Sequence, residues 1–280
     1  MSGLPAAAAG APGTVSLVGA GPGDPELLTV RALRRLAAAD VVVHDRLVGA
    51  AILALARPDA RLVAVGKASG GPSVAQDEIN RILVSEALGG AFVVRLKGGD
   101  PYVFGRGAEE QAALVAAGVP VEVVPGITAA VGCAAAIGLP LTARGRNRGV
   151  ALVTGMTGQG PARHEWQALA RAGLPFALYM GVATAAHTQA CLVAAGIGPD
   201  TPVVIVENGT LPGQRSLETV VGSLAGAIAA AAVKGPAVVY VGIPPVAGTR
   251  TARVDLPAPG AEVVPFPGPA RPGPARRARA

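Results

Sequence analysis

Apolar and polar positions divide residues 14–145 into short apolar runs separated by longer segments of helical period. The runs are rich in valine and leucine, and they predict strands at residues 15–18, 41–43, 61–65, 91–96 and 121–124. Between them, apolar residues recur every three or four positions, which is typical of amphipathic helices. Strands that alternate with helices in this way predict a mostly parallel sheet that is buried on both faces.

A second unit with the same alternation follows an arginine-rich segment at residues 140–148. Its predicted strands are residues 150–153, 176–180, 203–206 and 237–241, and its predicted helices are residues 164–172, 184–195 and 217–233. We therefore expect an N-terminal α/β domain at residues 14–145 and a C-terminal α/β domain at residues 146–255, both with mostly parallel sheets. Residues 1–13 and 256–280 are rich in alanine, glycine, proline and arginine, and we expect them to be disordered tails.

Polar or glycine-rich loops follow four of the predicted N-terminal strands. They begin at Gly19, His44, Gly66 and Lys97. Open α/β sheets bind ligands outside the carboxyl ends of their strands, so these loops predict a small-molecule site. The first loop imitates the dinucleotide fingerprint G-x-G-x-x-G, but Asp24 occupies the place of its third glycine. A nicotinamide-dependent dehydrogenase therefore remains only as an alternative.

Composition narrows the classes of partner. The net charge is +6, yet no basic stripe with interleaved aromatic residues appears, so we expect no nucleic acid partner and favour a small acidic ligand. No apolar run reaches the roughly 20 residues of a membrane-spanning helix, and the first residues lack the pattern of a signal peptide, which favours a cytoplasmic protein. No cluster of Cys, His and carboxylate residues suggests a metal site.

Taken together, the loops resemble those of the tetrapyrrole methylase family. The matching segments run in the family's order across about residues 14 to 245. They are Val18-Gly19-Ala20-Gly21-Pro22-Gly23-Asp24, Asp45-Arg46-Leu47-Val48, Val65-Gly66-Lys67, Leu96-Lys97-Gly98-Gly99-Asp100-Pro101, Phe104-Gly105-Arg106-Gly107, Pro125-Gly126-Ile127-Thr128-Ala129-Ala130, Tyr179-Met180-Gly181 and Val206-Glu207-Asn208-Gly209-Thr210.

The resemblance implies two α/β domains with S-adenosyl-methionine bound in the cleft between them, and a homodimer as the usual assembly. It implies C-methylation of the acidic tetrapyrrole uroporphyrinogen III at C-2 and C-7 to give precorrin-2, which feeds cobalamin or sirohaem biosynthesis. The residues that it places at the cofactor are Pro22, Gly98, Gly99, Asp100, Val103, Thr128, Ala129, Met180 and Gly209.

The chemistry of that reaction gives further residues a role by resemblance. A pyrrole ring that gains a methyl cation must lose a proton, and a nearby carboxylate can accept it. Asp45 matches the family's proposed proton acceptor and Lys67 its proposed proton donor, while Arg46 and Arg106 are our candidates for binding substrate carboxylates. Two further alternatives stay open. One is a methylase of a later precorrin, against which the Asp45 and Lys67 loops argue. The other is a non-catalytic protein that binds S-adenosyl-methionine or a tetrapyrrole, and it is motivated by His44, Ala143 and Met156, which depart from the family's usual residues.

Overall fold

A computed structural model describes residues 12–66, 74–157, 160–162 and 166–244, and their fold is built on two five-stranded sheets. The strands of the N-terminal sheet are β1 (Val15–Gly19), β2 (Val41–His44), β3 (Arg61–Ala64), β4 (Val93–Lys97) and β5 (Val121–Val124). They lie in the order β3-β2-β4-β1-β5, and every neighbouring pair is parallel. The predicted parallel sheet is confirmed for this half of the chain.

Helices cover both faces of the N-terminal sheet. They are α1 (Val30–Ala38), α2 (Ala50–Leu53), α3 (Gln76–Leu88) and α4 (Gly107–Ala116). Successive residues of a strand point to opposite faces. Val93 accordingly packs with α3 and α4, whereas Val94 packs with α1 and α2. The central strand β4 thus contributes to two apolar layers, and its carboxyl end lies in the middle of the sheet edge that carries the loops.

The C-terminal sheet contains β6 (Ala151–Thr154), β9 (Phe176–Tyr179), β10 (Pro202–Glu207), β11 (Arg215–Val220) and β12 (Ala237–Val241). Its strand order is β11-β10-β12-β9-β6. Two short strands, β7 (Met156–Thr157) and β8 (Gly160–Pro161), form a separate antiparallel ribbon. The helices of this half are α6 (Trp166–Ala172), α7 (Ala185–Ala194) and α8 (Leu224–Ala230).

The expectation of a mostly parallel C-terminal sheet is wrong. Only β6 and β9 are parallel, while the other three strand pairs are antiparallel. The predicted helix at residues 217–233 is also wrong, because residues 217–220 belong to β11 and α8 begins only at Leu224. In β11 the partly buried Leu217 and Thr219 alternate with exposed Ser216 and Glu218, a period of two that fits a strand. A short loop joins β10 to β11, and such a hairpin requires antiparallel pairing.

One helix links the two sheets. The helix α5 (Ala129–Ala136) follows β5 in sequence, yet its buried residues pack against the C-terminal sheet. Ala130, Cys133 and Ala134 share an apolar cluster with Val206 and Tyr240. The described residues of both halves lie within one compact unit.

The predicted tails fall largely outside the described residues. Residues 1–11 and 245–280 are among those that the structure does not describe, and Gly13 donates its backbone N–H to the Ala87 carbonyl at 2.8 Å. None of the helices within the described ranges is both long enough and apolar enough to cross a membrane.

Candidate active site

Three glycines bring the loops after β1, β4 and β5 into backbone contact. A Cβ atom on Gly19 would lie 2.5 Å from the Gly126 nitrogen, and one on Gly126 would lie 2.2 Å from the Gly99 oxygen. The loops are also joined by a pair of backbone hydrogen bonds between Gly21 and Gly99, at 3.1 and 2.7 Å. A side chain at Gly19 or at Gly126 would force the loops apart, so these two glycines allow the loops to approach closely.

Asp100 ties two of these loops together. Its Oδ2 accepts the backbone N–H of Gly126 at 3.0 Å, and its Oδ1 accepts the backbone N–H of Tyr102 at 2.8 Å. A carboxylate offers about four lone-pair positions, so these two bonds leave Asp100 able to accept from a ligand as well. The residue therefore has a loop-fixing role besides the cofactor contact that the resemblance implies.

A cavity of about 420 Å³ lies between the N-terminal loops and the C-terminal sheet. Four residues of the predicted cofactor set line it, and each comes from a different loop or helix end. They are Pro22, Ala129, Met180 and Gly209. The rest of the wall is mostly apolar, and it includes Leu47, Met156, Val182, Leu211 and Val238.

The other five predicted cofactor residues stand next to this wall. Gly98 packs so closely on Leu47 that a Cβ there would lie 2.7 Å from the Cβ of Leu47. Gly99 and Asp100 continue the same loop, and the half-buried Val103 donates its N–H to the Asp100 carbonyl at 3.4 Å. Thr128 precedes the cavity-lining Ala129. The structure thus brings all nine residues to one region.

Tyr179 connects the C-terminal sheet to the start of α5. Its Oη lies 2.7 Å from Thr128 Oγ1 and accepts the backbone N–H of Ala130 at 2.9 Å, while its ring lies 4.9 Å from the ring of Phe104. The Tyr240 hydroxyl, which is fully buried, donates to the Ala130 carbonyl at 2.8 Å. Burial raises the pKa of both tyrosines, so both hydroxyls stay protonated.

Five non-glycine residues in the loops after β4, β9 and β10 have a left-handed backbone. Their φ angles lie between +51° and +67°, and they are Phe104, Arg106, Met180, Asn208 and Thr210. Each such residue is strained by about 1–3 kcal/mol, and strain of this kind is concentrated at ligand sites. The Thr210 side chain joins the loop after β10 to the loop after β1, because its Oγ1 accepts the backbone N–H of Asp24 at 3.1 Å.

Asp45, the predicted proton acceptor, lies at the end of β2 and faces the loop after β4. Its Oδ1 accepts the N–H of Leu47 at 2.9 Å, and its Oδ2 accepts the N–H of Gly98 at 3.2 Å. Arg46 is exposed beside it, with its backbone against Gly66. Lys67, the predicted proton donor, lies outside the described residues.

Arg106 forms a surface ion pair that the sequence did not predict. Its Nε and Nη2 bind the two carboxylate oxygens of Glu109 at 2.8 and 2.7 Å, and both side chains are more than half exposed. This pair holds the guanidinium at the start of α4. Any contact between Arg106 and a substrate carboxylate would compete with Glu109.

Three residues of this region, Tyr179, Glu110 and the cavity-lining Cys133, received no role from the sequence. Glu110 is fully buried and binds Arg95 and Lys97, two basic residues inside an otherwise apolar strand, which is the one signal that could have found it. Tyr179 belongs to a segment that matches the family, but no local signal reveals its partners, since they lie far away in sequence. Within the described ranges no group of three or more His, Cys, Asp or Glu side chains has the arrangement of a metal site.

Comparison with known proteins agrees with the geometry. The family model described as tetrapyrrole (corrin/porphyrin) methylases matches residues 14–225. The chain is 50% identical over 230 residues to a uroporphyrinogen-III C-methyltransferase of Pseudomonas aeruginosa, a match that covers 82% of this chain and 93% of that protein. It is 48% identical over 230 residues to a siroheme synthase of Acinetobacter baylyi, of which it spans 50% while 82% of this chain is covered.

A solved structure also matches the fold. It is the uroporphyrin-III C-methyltransferase of Thermus thermophilus in complex with S-adenosyl homocysteine, with a TM-score of 0.72 and 43% sequence identity. The match covers 82% of this chain and 97% of that chain. The α/β class that the sequence predicts is confirmed, apart from the pairing of the C-terminal strands.

Proposed function

Because the chain belongs to the tetrapyrrole methylase family, we propose that it is an S-adenosyl-methionine-dependent methyltransferase acting on uroporphyrinogen III. The methyl groups go to C-2 and C-7, and the product is precorrin-2, a precursor of cobalamin and sirohaem. The proposal includes a cytoplasmic homodimer.

The observation that carries this proposal is the convergence of four loops on one cavity. Pro22 and Ala129 come from the N-terminal half, Met180 and Gly209 from the C-terminal half, and all four line the same space. A cleft formed between two sheets is a typical ligand site of α/β proteins. The 50% identity to a protein named for this activity, over 93% of that protein, supports the same conclusion.

The residues present fit S-adenosyl-methionine. Ligand cavities commonly have volumes of about 300–1,000 Å³, and this one has about 420 Å³ with a mainly apolar wall suited to an adenine ring. At Gly209 a Cβ would lie 2.2 Å from Cys133 Sγ, so only bare backbone can border the cavity there. When bound, the cofactor supplies a methyl group on a sulfonium, which needs no further activation.

The chain's own contribution is then to position the reactants and to remove a proton. In-line alignment of a pyrrole carbon with the methyl group lowers the barrier by avoiding the loss of orientational freedom during the reaction. Asp45 accepts the proton that the methylated ring must lose, and the N–H groups of Leu47 and Gly98 hold its carboxylate in a fixed orientation. Lys67 donates a proton in this proposal, and Arg46 and Arg106 bind carboxylates of the macrocycle.

Exposed apolar side chains are available to the proposed dimer. Val30 and Leu33 on α1, Leu62 on the edge strand β3 and Val131 on α5 are between 41% and 59% exposed. Light scattering on the purified protein gives the molar mass directly. A mass of one chain at micromolar concentration contradicts this part of the proposal.

The test of the activity is anaerobic incubation with S-adenosyl-methionine and uroporphyrinogen III, followed by mass spectrometry of the product. We expect a gain of two methyl groups. Turnover of a later precorrin alone supports the sister activity. Binding of S-adenosyl-homocysteine without any transfer supports a non-catalytic protein, and a thermal shift with NAD(P) instead supports a dehydrogenase.

A further inference from the structure

Three charged side chains are buried together beneath the loop that follows β4. Arg95 and Lys97 project from β4 towards α3 and α4, and Glu110 meets them from the first turn of α4. Glu110 Oε1 lies 3.0 Å from Arg95 Nε and 3.0 Å from Lys97 Nζ, and the three side chains are at most 4% exposed. Gln76 on α3 adds a donor to the same oxygen at 3.3 Å, while Glu110 Oε2 has no hydrogen-bond partner within the described part of the chain.

Stability does not account for this cluster. Removing charges from water costs several kcal/mol for each ion, and well-packed apolar replacements of a buried ion cluster are often neutral or stabilising. The other residues on this face of the sheet, such as Val93 and Leu17, are apolar, so an apolar filling would match its surroundings. A carboxylate oxygen left without a partner makes the cluster costlier still.

The cluster also carries an unbalanced charge. Its two cations and one carboxylate leave one positive charge in excess inside the fold. Burial lowers the pKa of the Lys97 ammonium and the charge of Arg95 lowers it further, whereas Glu110 and Asp45 act in the opposite direction. Asp45 is thus the second carboxylate that favours the charged form of Lys97, and it lies on the side of the candidate active site.

Two structural links join the cluster to Asp45. Arg95 Nη1 donates to the carbonyl of Val43 at 3.4 Å, which lies on β2 two residues before Asp45. Lys97 is followed directly by Gly98, whose N–H donates to Asp45 Oδ2 at 3.2 Å. The cluster therefore contacts the ends of β2 and β4, and these two strand ends carry Asp45 and the Gly98 N–H that binds it.

We propose that Lys97, held in place by Glu110 and Arg95, is a positioning residue for Asp45. Its buried ammonium attracts the carboxylate and keeps it in the orientation in which it accepts the proton of the methylated ring. Neither Lys97 nor Glu110 touches the cavity in this role. The inference rests on the proposed function, because it assigns Lys97 to the proton acceptor of that reaction.

The experiment replaces the cluster by apolar residues of similar size in the full chain. In the triple variant Arg95→Met/Lys97→Met/Glu110→Leu we expect a Tm at or above that of the wild type and a Kd for S-adenosyl-homocysteine within about twofold. We expect kcat for methyl transfer to fall about 10- to 100-fold, because the acceptor loses its fixed orientation. If the cluster has only a structural role, a triple variant that is as stable as the wild type should instead keep the wild-type kcat.

The single variant Lys97→Gln tests the same point while keeping a hydrogen-bond donor for Glu110, and it decides the matter if the triple variant does not fold. It is combined with Asp45→Asn in a double-mutant cycle. If Lys97 acts through Asp45, the double variant is no slower than Asp45→Asn alone. Arg35→Met/Glu122→Gln, which removes an ion pair at the far edge of the same sheet, is the matched control and should keep its kcat.

The outcomes separate the two proposals. A wild type that transfers no methyl group overturns the proposed function and this inference with it. An active wild type with an equally active, stable triple variant overturns the inference alone, as do additive losses from Lys97→Gln and Asp45→Asn. Loss of cofactor affinity in parallel with kcat also overturns it, because it shows a general disturbance of the cleft.

Discussion

The Oη atom of Tyr179 lies 2.7 Å from Thr128 Oγ1, and this hydroxyl acts as the N-terminal cap of α5. Thr128 makes no capping bond of its own, and the Ala130 N–H donates to Tyr179 instead. A residue of the C-terminal sheet therefore fixes the backbone next to Ala129, which lines the cavity from the N-terminal half.

This geometry predicts that Tyr179→Phe weakens cofactor binding. The change leaves the Ala130 N–H without its partner, so we expect a loss of about 1–3 kcal/mol in the free energy of unfolding. We also expect the Kd for S-adenosyl-homocysteine to rise about tenfold, which corresponds to about 1.4 kcal/mol. Calorimetric titration and thermal unfolding measure the two effects.

Tyr240→Phe is the matched control, because it removes a buried hydroxyl from the carbonyl of the same residue, Ala130. It should lower stability by a similar amount and leave the Kd unchanged. Equal changes of Kd in both variants would show that Tyr179 acts only through stability.

The bare backbone at Gly209 leads to a second prediction. A Cβ there would lie 2.2 Å from Cys133 Sγ, so Gly209→Ala should cost about 1–3 kcal/mol of stability and weaken binding of S-adenosyl-homocysteine. Gly226 lies on α8, and a Cβ there would have no neighbouring heavy atom within 4 Å. Gly226→Ala should therefore stabilise the helix by about 0.5–1 kcal/mol. Chemical denaturation of both variants checks the contrast.

The role of Asp45 predicts that its substitution slows turnover without weakening cofactor binding. Asp45→Asn keeps one acceptor oxygen for the loop but removes the proton acceptor, so kcat should fall about 100-fold or more with an unchanged Kd for S-adenosyl-homocysteine. Lys67→Ala should likewise slow turnover without loss of cofactor affinity. Asp59→Asn, on an exposed carboxylate paired with Arg57, should leave both quantities unchanged. Unchanged kcat in Asp45→Asn would remove this residue from the mechanism.

The ion pair of Arg106 allows its substrate role to be tested in two directions. The guanidinium holds the pKa of the Glu109 carboxyl below its usual value, so the pair persists at neutral pH and is lost only as the pH falls through that lowered value. If Arg106 binds the macrocycle, Arg106→Gln raises KM, whereas Glu109→Gln frees the guanidinium and lowers KM. Neither change should affect stability by more than about 1 kcal/mol. A KM that ignores both substitutions contradicts the assignment.

The two cysteines should differ in reactivity. Burial raises the pKa of Cys133 to about 11, so at pH 8 only about one thiol in a thousand is ionised. Cys191 is partly exposed. Iodoacetamide at pH 8 should therefore label Cys191 first, and labelling of Cys133 should become faster as the pH rises towards 11. Mass spectrometry of the peptides over time shows the order, and equal rates would contradict the buried environment of Cys133.

Much of the N-terminal half follows from local patterns. The valine-rich runs at β1, β2 and β4 predict strands because each is buried on both faces, and the glycines at 19, 98 and 99 stand where strands end. The pattern failed at β11, where partial burial on one face leaves only a weak alternation that an alanine-rich helix follows at once. Because β11 was predicted as helix, the hairpin between β10 and β11 was missed, and with it the antiparallel pairing in the C-terminal sheet.

The missing parts of the site depend on distant partners. Tyr179 meets Thr128 across 51 residues and Ala130 across 49, so no local spacing reveals their bonds. Glu110 stands beside Glu109 in the sequence, yet one is fully buried and the other exposed. Only the packing of α4 against β4 decides which of the two carboxylates meets Arg95 and Lys97.

The strand order of the N-terminal sheet also constrains the time at which the fold can form. β1 lies between β4 and β5, so Val15 pairs with Val93 and Val121. During synthesis β1 must therefore wait for both partners, while β2 and β3 are already able to pair before β4 and β5 are made. Pairings of such long sequence separation form slowly, since the entropy of closing a long loop is lost before any contact is gained. We expect β1 to complete the sheet late and its apolar surface to be the part of the nascent chain most exposed to aggregation.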